Sequence, residues 1–174
     1  MNMEKLTCKE FTYKGFNNSE TKIIDMCIEI INNNGDFELL PDKVEFVKFK
    51  SVCKFGDCTT YEKGKHVRIR LHKNLMQNKD KFINTIIHEL IHSFKNVKHG
   101  HGTDWKRYAE KYSQLISMPI ERCSNSHELG ITLDERKAAR TIKCPVCGLV
   151  HEFKRNNNKI WFCKKCNVKM VDVK

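Results

Sequence analysis

A pair of histidines separated by one helical turn is the feature of this sequence with the clearest chemical meaning. The segment His88-Glu89-Leu90-Ile91-His92 has the form H-E-x-x-H, and residues four apart project from the same face of a helix. Two imidazoles on one face can bind a zinc ion together, and the adjacent Glu89 then lies beside the position of a water molecule. The predicted chemistry is metal-assisted hydrolysis of a peptide bond, with Glu89 as the general base.

A zinc site of this kind needs a third protein ligand, which must come from downstream in the chain. His99 and His101 both follow the H-E-x-x-H segment, and Glu110 is the alternative if the third ligand is a carboxylate on a helix. Glycines flank His101 on both sides, and glycine permits the tight turn that returns a side chain to the preceding helix. We therefore expect His101 to complete a catalytic zinc site with the two histidines of the motif.

Four cysteines near the C-terminus predict a second, structural zinc site. They form two C-x2-C pairs with fifteen residues between the pairs, namely Cys144, Cys147, Cys163 and Cys166. This spacing is typical of a zinc ribbon, and redox C-x-x-C pairs are disfavoured because no thioredoxin-like βαβ pattern surrounds them. A segment this short buries too little surface to fold without a metal. The remaining cysteines are interpreted as free thiols: Cys8, Cys27, Cys53, Cys58 and Cys123.

The positive charge of the chain is concentrated around these cysteines. The net charge is +11, and residues 136–174 contain eleven cationic and two acidic side chains, so the other residues contribute only +2. Cations bind phosphates and aromatic rings stack on unpaired bases, which favours single-stranded nucleic acid as the partner. A solvated basic tail is the alternative. The candidate contact residues are Lys154, Arg155, Lys159, Trp161, Lys164 and Lys165. At least one of Trp161 and Phe162 is expected in the small core of the ribbon.

Three helical patterns must position the chemistry. The first is predicted to be capped by Ser19 and to run to residue 31, and the second, which carries the H-E-x-x-H motif, to be capped by Asn78 or Asp80. A third helix is predicted from about residue 103 to residue 116. The continuous apolar stripe of the second helix must be buried, which leaves the two histidines at its edge.

Residues 44–52 and 66–71 have β-rich or alternating patterns and predict two or three antiparallel strands between the first two helices. A strand at residues 67–71 is a candidate edge for binding an extended peptide, although its alternating apolar residues favour a core strand. Tyr61, His66 and Tyr112 are the candidates for stabilising an oxyanion. The chain is thus predicted to be α+β, with helices packed on a small antiparallel sheet in residues 1–140 and a zinc ribbon in residues 141–174.

The H-E-L-I-H helix, the glycine-flanked His101 and the aromatic Trp105 resemble the SprT-like metalloprotease domain, whose family includes the Spartan proteases of DNA–protein crosslink repair. The resemblance covers about residues 16–118 and continues into a four-cysteine ribbon. It implies a zincin-like fold in which the same three histidines bind zinc and Glu89 acts as the base.

The resemblance further implies that DNA recruits or activates the enzyme and that its substrates are proteins bound or crosslinked to DNA. Two alternatives remain: a non-catalytic nucleic-acid-binding zinc protein, and a general metallopeptidase that does not depend on DNA. No apolar stretch approaches the ~20 residues that span a bilayer, and the N-terminus lacks the apolar region of a signal peptide. We therefore expect a soluble intracellular monomer, in the cytoplasm or nucleus, without membrane association.

Overall fold

The computed structural model describes residues 9–51, 53–98, 100–121, 138–155 and 158–173. The chain divides into two compact units, residues 1–133 and residues 134–174. The first unit combines a four-stranded sheet with three helices, and the second contains a three-stranded sheet and the four paired cysteines. The predicted α+β class is confirmed. Most of the connection between the units lies outside the described residues.

The three predicted helices are present as α1 (Asn18–Asn33), α2 (Lys79–Ser93) and α3 (Thr103–Ile116). The predicted cap at Ser19 is wrong, because Asn17 caps α1: its side chain accepts a hydrogen bond from the Glu20 backbone, and the Glu20 carboxylate accepts one from the Asn17 backbone. Such a reciprocal pair requires an acidic or amide residue three positions after the cap. In the described part of the chain, no helix is long and apolar enough to cross a membrane.

The sheet of the first unit is mixed, which corrects the prediction of an antiparallel sheet. Its strands are β1 (Glu10–Lys14), β2 (Lys43–Phe49), β3 (Gly56–Tyr61) and β4 (His66–His72), in the order β1-β2-β4-β3. The first three in that order are parallel, and β3 is antiparallel to β4. A helix connects β1 to β2, as a parallel crossover requires. One edge of the sheet is therefore β3.

The core of the first unit lies between the sheet and the helices. The apolar stripe of α2 is buried as predicted, with Ile86, Ile87 and Leu90 fully inaccessible to solvent. The sheet contributes the inward-facing side chains of Val67, Ile69 and Leu71 on β4, all buried. Because β4 lies between β2 and β3, the edge proposed at residues 67–71 is wrong and the core-strand interpretation is confirmed.

The second unit is built on β5 (Arg140–Lys143), β6 (Val150–Phe153) and β7 (Val171–Asp172), in the order β6-β5-β7. Its buried residues are few: Ile142, Cys144, Cys163 and Met170. The expectation that Trp161 or Phe162 belongs to this core is wrong, since the two side chains are 41% and 58% exposed. The aromatic residue that packs against this core is instead the partly buried Phe153.

Candidate metal centre and active site

Three histidine side chains of the first unit converge on one point. His88 and His92 lie one turn apart on α2, and His101 returns from the turn before α3. Their Nε2 atoms are 3.2 Å apart for His88 and His92, 3.1 Å for His92 and His101, and 3.1 Å for His88 and His101. The turn that returns His101 depends on Gly100, whose φ of +89° is a conformation that favours glycine.

The spacing of these three nitrogens fits one metal ion. A tetrahedral zinc with Zn–N bonds of ~2.0–2.1 Å requires ligand nitrogens about 3.3–3.4 Å apart, close to the observed triangle. The three side chains form a group that can hold a metal ion, whereas Glu110 is exposed and is not part of that group. His99, the other candidate third ligand, lies outside the described residues.

A backbone contact fixes the orientation of His88. Its Nδ1 lies 3.0 Å from the backbone oxygen of Glu121, and a carbonyl only accepts, so Nδ1 carries the proton and Nε2 presents a lone pair to the centre of the group. Burial lowers the pKa of His88 to about 3, and the neighbouring His92 and His101 act in the same direction. A neutral imidazole is the form that binds a metal.

The indole of Trp105 forms a wall behind the three imidazoles. Its ring centroid lies 4.8 Å from that of His88, 5.6 Å from that of His92 and 4.5 Å from that of His101. Trp105 is the third residue of α3 and is 4% exposed. The start of α3 thus packs an aromatic ring against all three histidines and restricts their rotation.

Glu89 lies in the same cavity as the histidines and is buried. Burial raises its pKa to about 8, the negative charge of Asp57 acts in the same direction, and the positive charge of Lys54 opposes it. A cation bound by the adjacent histidines would favour the ionised carboxylate. Glu89 therefore combines a low-polarity position with a nearby cation site, as a general base in a hydrolytic site requires.

The edge strand β3 packs directly on this carboxylate. A Cβ atom added to Gly56 would lie 2.8 Å from Oε1 of Glu89 and 2.8 Å from Cγ2 of Thr85, both on α2. The neighbouring Asp57 is held by Arg70 of β4, whose Nε and Nη2 donate to its two oxygens at 2.8 and 2.6 Å. The glycine thus lets the strand approach the helix closely enough to form one wall of the cavity.

The cavity has a volume of about 450 Å³ and lies between β3 and α2. Besides the motif residues, α2 contributes Lys81, Asn84 and Thr85 to its lining. None of these three was identified as a candidate from the sequence. The sequence did contain the information needed to identify them, because residues three, four and seven positions before His88 lie on the same helical face as His88. The lining residues of β3, by contrast, have no signal in the local sequence.

The three candidates for oxyanion stabilisation lie in different environments. Tyr112 is fully buried, and its hydroxyl donates to Oδ2 of Asp36 at 2.7 Å, so that candidate is wrong. His66 lines neither of the two cavities found beside the histidines, whereas Tyr61 lines the second of them. The hydroxyl of Tyr61 stays a candidate for that role.

The four cysteines of the second unit also come together as a group that can hold a metal ion. Sγ of Cys147 lies 3.5 Å from Sγ of Cys163, near the separation of about 3.8 Å that a tetrahedral zinc with Zn–S bonds of ~2.3 Å requires. Backbone N–H groups, first that of Cys147, point at Cys144 and lower its pKa to about 6. Thiolate is the form that binds a metal.

The two C-x2-C pairs form equivalent turns. In the first, Gly148 N donates to Cys144 O at 3.0 Å, and in the second Asn167 N donates to Cys163 O at 2.8 Å. Gly148 and Asn167 both have positive φ, +74° and +52°, and glycine and asparagine are the residues that tolerate this conformation best. The two turns therefore present their sulfur atoms in the same way.

The basic and aromatic residues predicted to contact nucleic acid lie on the surface of the second unit. All six are exposed: Lys154, Arg155, Lys159, Trp161, Lys164 and Lys165. Trp161 packs its ring against Phe153 at a centroid distance of 5.1 Å. The neighbouring Ile160 and Phe162 are 63% and 58% exposed, which extends the accessible apolar surface beyond the residues that were predicted.

A mixed sheet packed on a helix with the H-E-x-x-H motif, and a returning histidine, define a metalloprotease-type domain. The SprT-like family model matches residues 29–124, and the chain belongs to the SprT-like family. Human germ cell nuclear acidic protein is 22% identical over 129 residues, which are 67% of this chain and 19% of that protein.

A second similarity is confined to a short segment. Large ribosomal subunit protein eL43 of Methanococcus aeolicus is 50% identical over 37 residues, which are 21% of this chain and 38% of that protein. The chain thus spans about a fifth of the length of the human relative and under two fifths of the length of the archaeal one. The SprT-like family model and the human relative each match more than half of the chain, whereas the match to the archaeal protein covers about a fifth of it.

Proposed function

We propose that this chain is a zinc-dependent endopeptidase that cleaves proteins bound or crosslinked to DNA, and that DNA recruits or activates it. The observation that carries the hydrolytic part is the convergence of His88, His92 and His101 in one cavity with the buried carboxylate of Glu89. Membership of the SprT-like family supports the same class of reaction.

In the proposed mechanism, the three histidines would hold zinc, which would supply Lewis-acid polarisation of a carbonyl and lower the pKa of nearby water. The Glu89 carboxylate accepts the proton of the attacking water and then donates it to the leaving amine. The Glu89 carboxylate is buried beside Gly56 of β3, and burial raises its pKa to about 8, a value suited to a group that first accepts and then donates a proton. Trp105 and the Glu121 backbone keep the imidazoles oriented throughout.

The substrate is proposed to bind along β3. This strand is an edge of the sheet among the described residues and supplies one wall of the cavity, so the backbone groups on its outer side can pair with an extended peptide. Main-chain pairing recognises few side chains, which suits an enzyme that cleaves many different proteins. The edge is displaced by one strand from the position expected from the sequence, but the mode of binding is the same.

The second unit is proposed to hold a structural zinc through its four cysteines and to bind single-stranded nucleic acid. Its exposed lysines provide phosphate contacts, and the exposed rings of Trp161 and Phe162 provide stacking surfaces. The similarity of a 37-residue segment to a large ribosomal subunit protein supports a nucleic-acid role and makes RNA a necessary comparison.

The test is cleavage of a basic DNA-binding protein by the zinc-loaded chain, alone, with single-stranded DNA and with single-stranded RNA. Three proteins are compared: wild type, Glu89→Gln, and Glu110→Gln as a matched control on the exposed face of α3. We expect wild type and Glu110→Gln to cleave, mainly with DNA, and Glu89→Gln to bind DNA without cleaving.

The other outcomes separate the alternatives. Cleavage that is equal with and without DNA would identify a general metallopeptidase and leave the second unit without a role in activation. Stronger activation by RNA would replace DNA as the partner. Binding of nucleic acid with no cleavage by any of the three zinc-loaded proteins would favour the non-catalytic binding protein.

A further inference from the structure

A second cavity adjoins the candidate active site. It has a volume of about 410 Å³ and is lined by residues 60–64, where β3 ends, and by residues 92–95 and 97, where α2 ends. Thr60 and His92 line both cavities. The second cavity therefore continues the first along the edge strand, directly beside the histidine cluster.

Tyr61 is the aromatic residue that β3 contributes to the lining of this cavity. This ring is 39% exposed, and it is held by two residues of β4: the His66 ring lies 5.5 Å from it and the Arg68 guanidinium 5.4 Å from it. Tyr61 is also paired with His66 in the register of the two strands. The ring is thus fixed before any ligand binds, which reduces the entropic cost of a contact.

The chain turns sharply immediately after Tyr61. Glu62, Lys63 and Gly64 have φ values of 49°, 55° and 92°, and a left-handed conformation at two successive non-glycine residues is costly for a backbone. The turn ends β3, so Tyr61 is the last residue with which a peptide on this edge can align. The second cavity is lined by residues 60–64 and so begins at the point where this alignment would end.

The remaining lining indicates the kind of side chain that fits. Besides Tyr61, the apolar lining residues are Phe94 and Val97. Polar residues also line the cavity, and its three charged residues are exposed, namely Glu62, Lys63 and Lys95. One of these, Lys95, is engaged by Asp42, with its Nζ 3.3 Å from Oδ1. The cavity volume of about 410 Å³ can hold a large side chain, and the exposed ring of Tyr61 offers a surface on which an aromatic or aliphatic group can pack.

We propose that the second cavity is a substrate subsite beside the scissile bond, that it accepts an aromatic or large aliphatic side chain, and that Tyr61 determines this preference. The inference rests on the proposed peptidase function and specifies the substrates of the same site. It assigns Tyr61 a role in specificity through its ring rather than a role in catalysis through its hydroxyl.

The test compares peptides that differ only at the residues flanking the cleaved bond, with Phe, Leu or Ala at each. Wild type is expected to prefer Phe or Leu on one side, and Tyr61→Ala to lower kcat/KM for those peptides about tenfold while leaving the Ala peptides unchanged. Tyr61→Phe keeps the ring and should keep the preference. Met26→Ala, at a residue of α1 that is 38% exposed and lines neither cavity, is the matched control.

Two results would overturn the subsite. An equal loss on all peptides, in Tyr61→Phe as in Tyr61→Ala, would assign the hydroxyl to catalysis. No change in preference in Tyr61→Ala would show that the ring does not contact the substrate. Both variants alter an exposed residue, so their thermal stability should match that of wild type, which separates these results from misfolding.

A binding measurement separates failure of the subsite from failure of the peptidase. Fluorescence anisotropy reports the affinity of labelled Phe and Ala peptides for zinc-loaded Glu89→Gln, with and without Tyr61→Ala. One outcome is that wild type cleaves no peptide, while the Phe peptide still binds better than the Ala peptide and loses that advantage in Tyr61→Ala. This outcome would support the side-chain preference of the second cavity and contradict the peptidase function. If wild type cleaves and Tyr61→Ala does not change the affinities of the two peptides, the subsite is contradicted and the peptidase function is not.

Discussion

The contact between Gly56 and Glu89 leads to a sharp prediction about a residue with no side chain. The φ of Gly56 lies outside the left-handed region, so alanine can adopt the backbone conformation without strain. The added methyl group, however, would lie 2.8 Å from Oε1 of Glu89 and 2.8 Å from Cγ2 of Thr85. Any effect of Gly56→Ala is therefore steric and acts on the proposed base.

The size of the effect follows from the overlap. Carbon atoms in contact prefer separations of about 3.5–4.0 Å, so the strand, the helix or the Glu89 side chain must move by roughly 0.7 Å or more. Overpacking of this kind costs about 1–3 kcal/mol. A displacement of a catalytic group approaching 1 Å lowers the rate by up to about 100-fold. We expect Gly56→Ala to lower kcat about 10- to 100-fold with little change in KM.

The assay measures zinc content, thermal stability, kcat and KM for wild type, Gly56→Ala and the double variant Gly56→Ala/Thr85→Ala. Zinc content should be unchanged, since no histidine ligand is among the close contacts. The double variant removes one of the two clashes, so it should regain stability without regaining the rate. Wild-type stability together with wild-type kcat in Gly56→Ala would refute the packing of β3 on Glu89.

Three further predictions concern the packing of Trp105 on the histidines, the basic surface of the second unit and the stability of the fold at low pH. Trp105→Ala should weaken zinc binding about 10- to 100-fold in a chelator competition, with Trp105→Phe close to wild type, and equal affinities would exclude a role for the ring. Replacing Lys164 and Lys165 by alanine should reduce the salt dependence of single-stranded DNA binding by about 1.4 in slope, from ~0.7 per phosphate contact, whereas Lys22→Ala, on α1, should leave it unchanged. Hydrogen bonds from Lys14 and Arg68 lower the pKa of Glu45 to about 2, so its stabilisation is complete above the unfolded-state pKa of ~4.3 and is lost as pH falls toward 2. Glu45→Gln should flatten that part of the stability curve in acid titrations, and unchanged curves would contradict the assignment.

The helices and the histidine site were predictable because they depend on short-range patterns. The 3.6-residue period of α2 predicted both its buried stripe and the placement of His88 and His92 on one edge. Glycines beside His101 predicted a turn, and Gly100 does adopt a positive φ. The regular spacing of the cysteines predicted their grouping in the same way. Each of these features is encoded within a segment of at most 23 residues of chain.

The sheet was less predictable because strand order depends on contacts between distant segments. β1 is only five residues long, with both terminal residues exposed and the three central residues half-buried. It therefore has no clear alternation of buried and exposed residues to detect. In the sheet, β4 lies between β2 and β3, although in the sequence β3 lies between β2 and β4. Alternation of apolar residues shows that a strand is buried on one face, but it does not show which strands are its neighbours.

The position of β3 explains why the candidate site opens where it does. Apart from one cysteine, no side chain between Gly56 and Thr60 is apolar, so this strand contributes little to the core. It is attached by its backbone pairing with β4, by the ion pair between Asp57 and Arg70, which lie opposite each other in the register, and by the close approach of Gly56 to α2. β3 therefore contributes mainly polar and backbone groups to the cavity wall, while α2, anchored by its buried stripe, keeps the histidines and Glu89 in place.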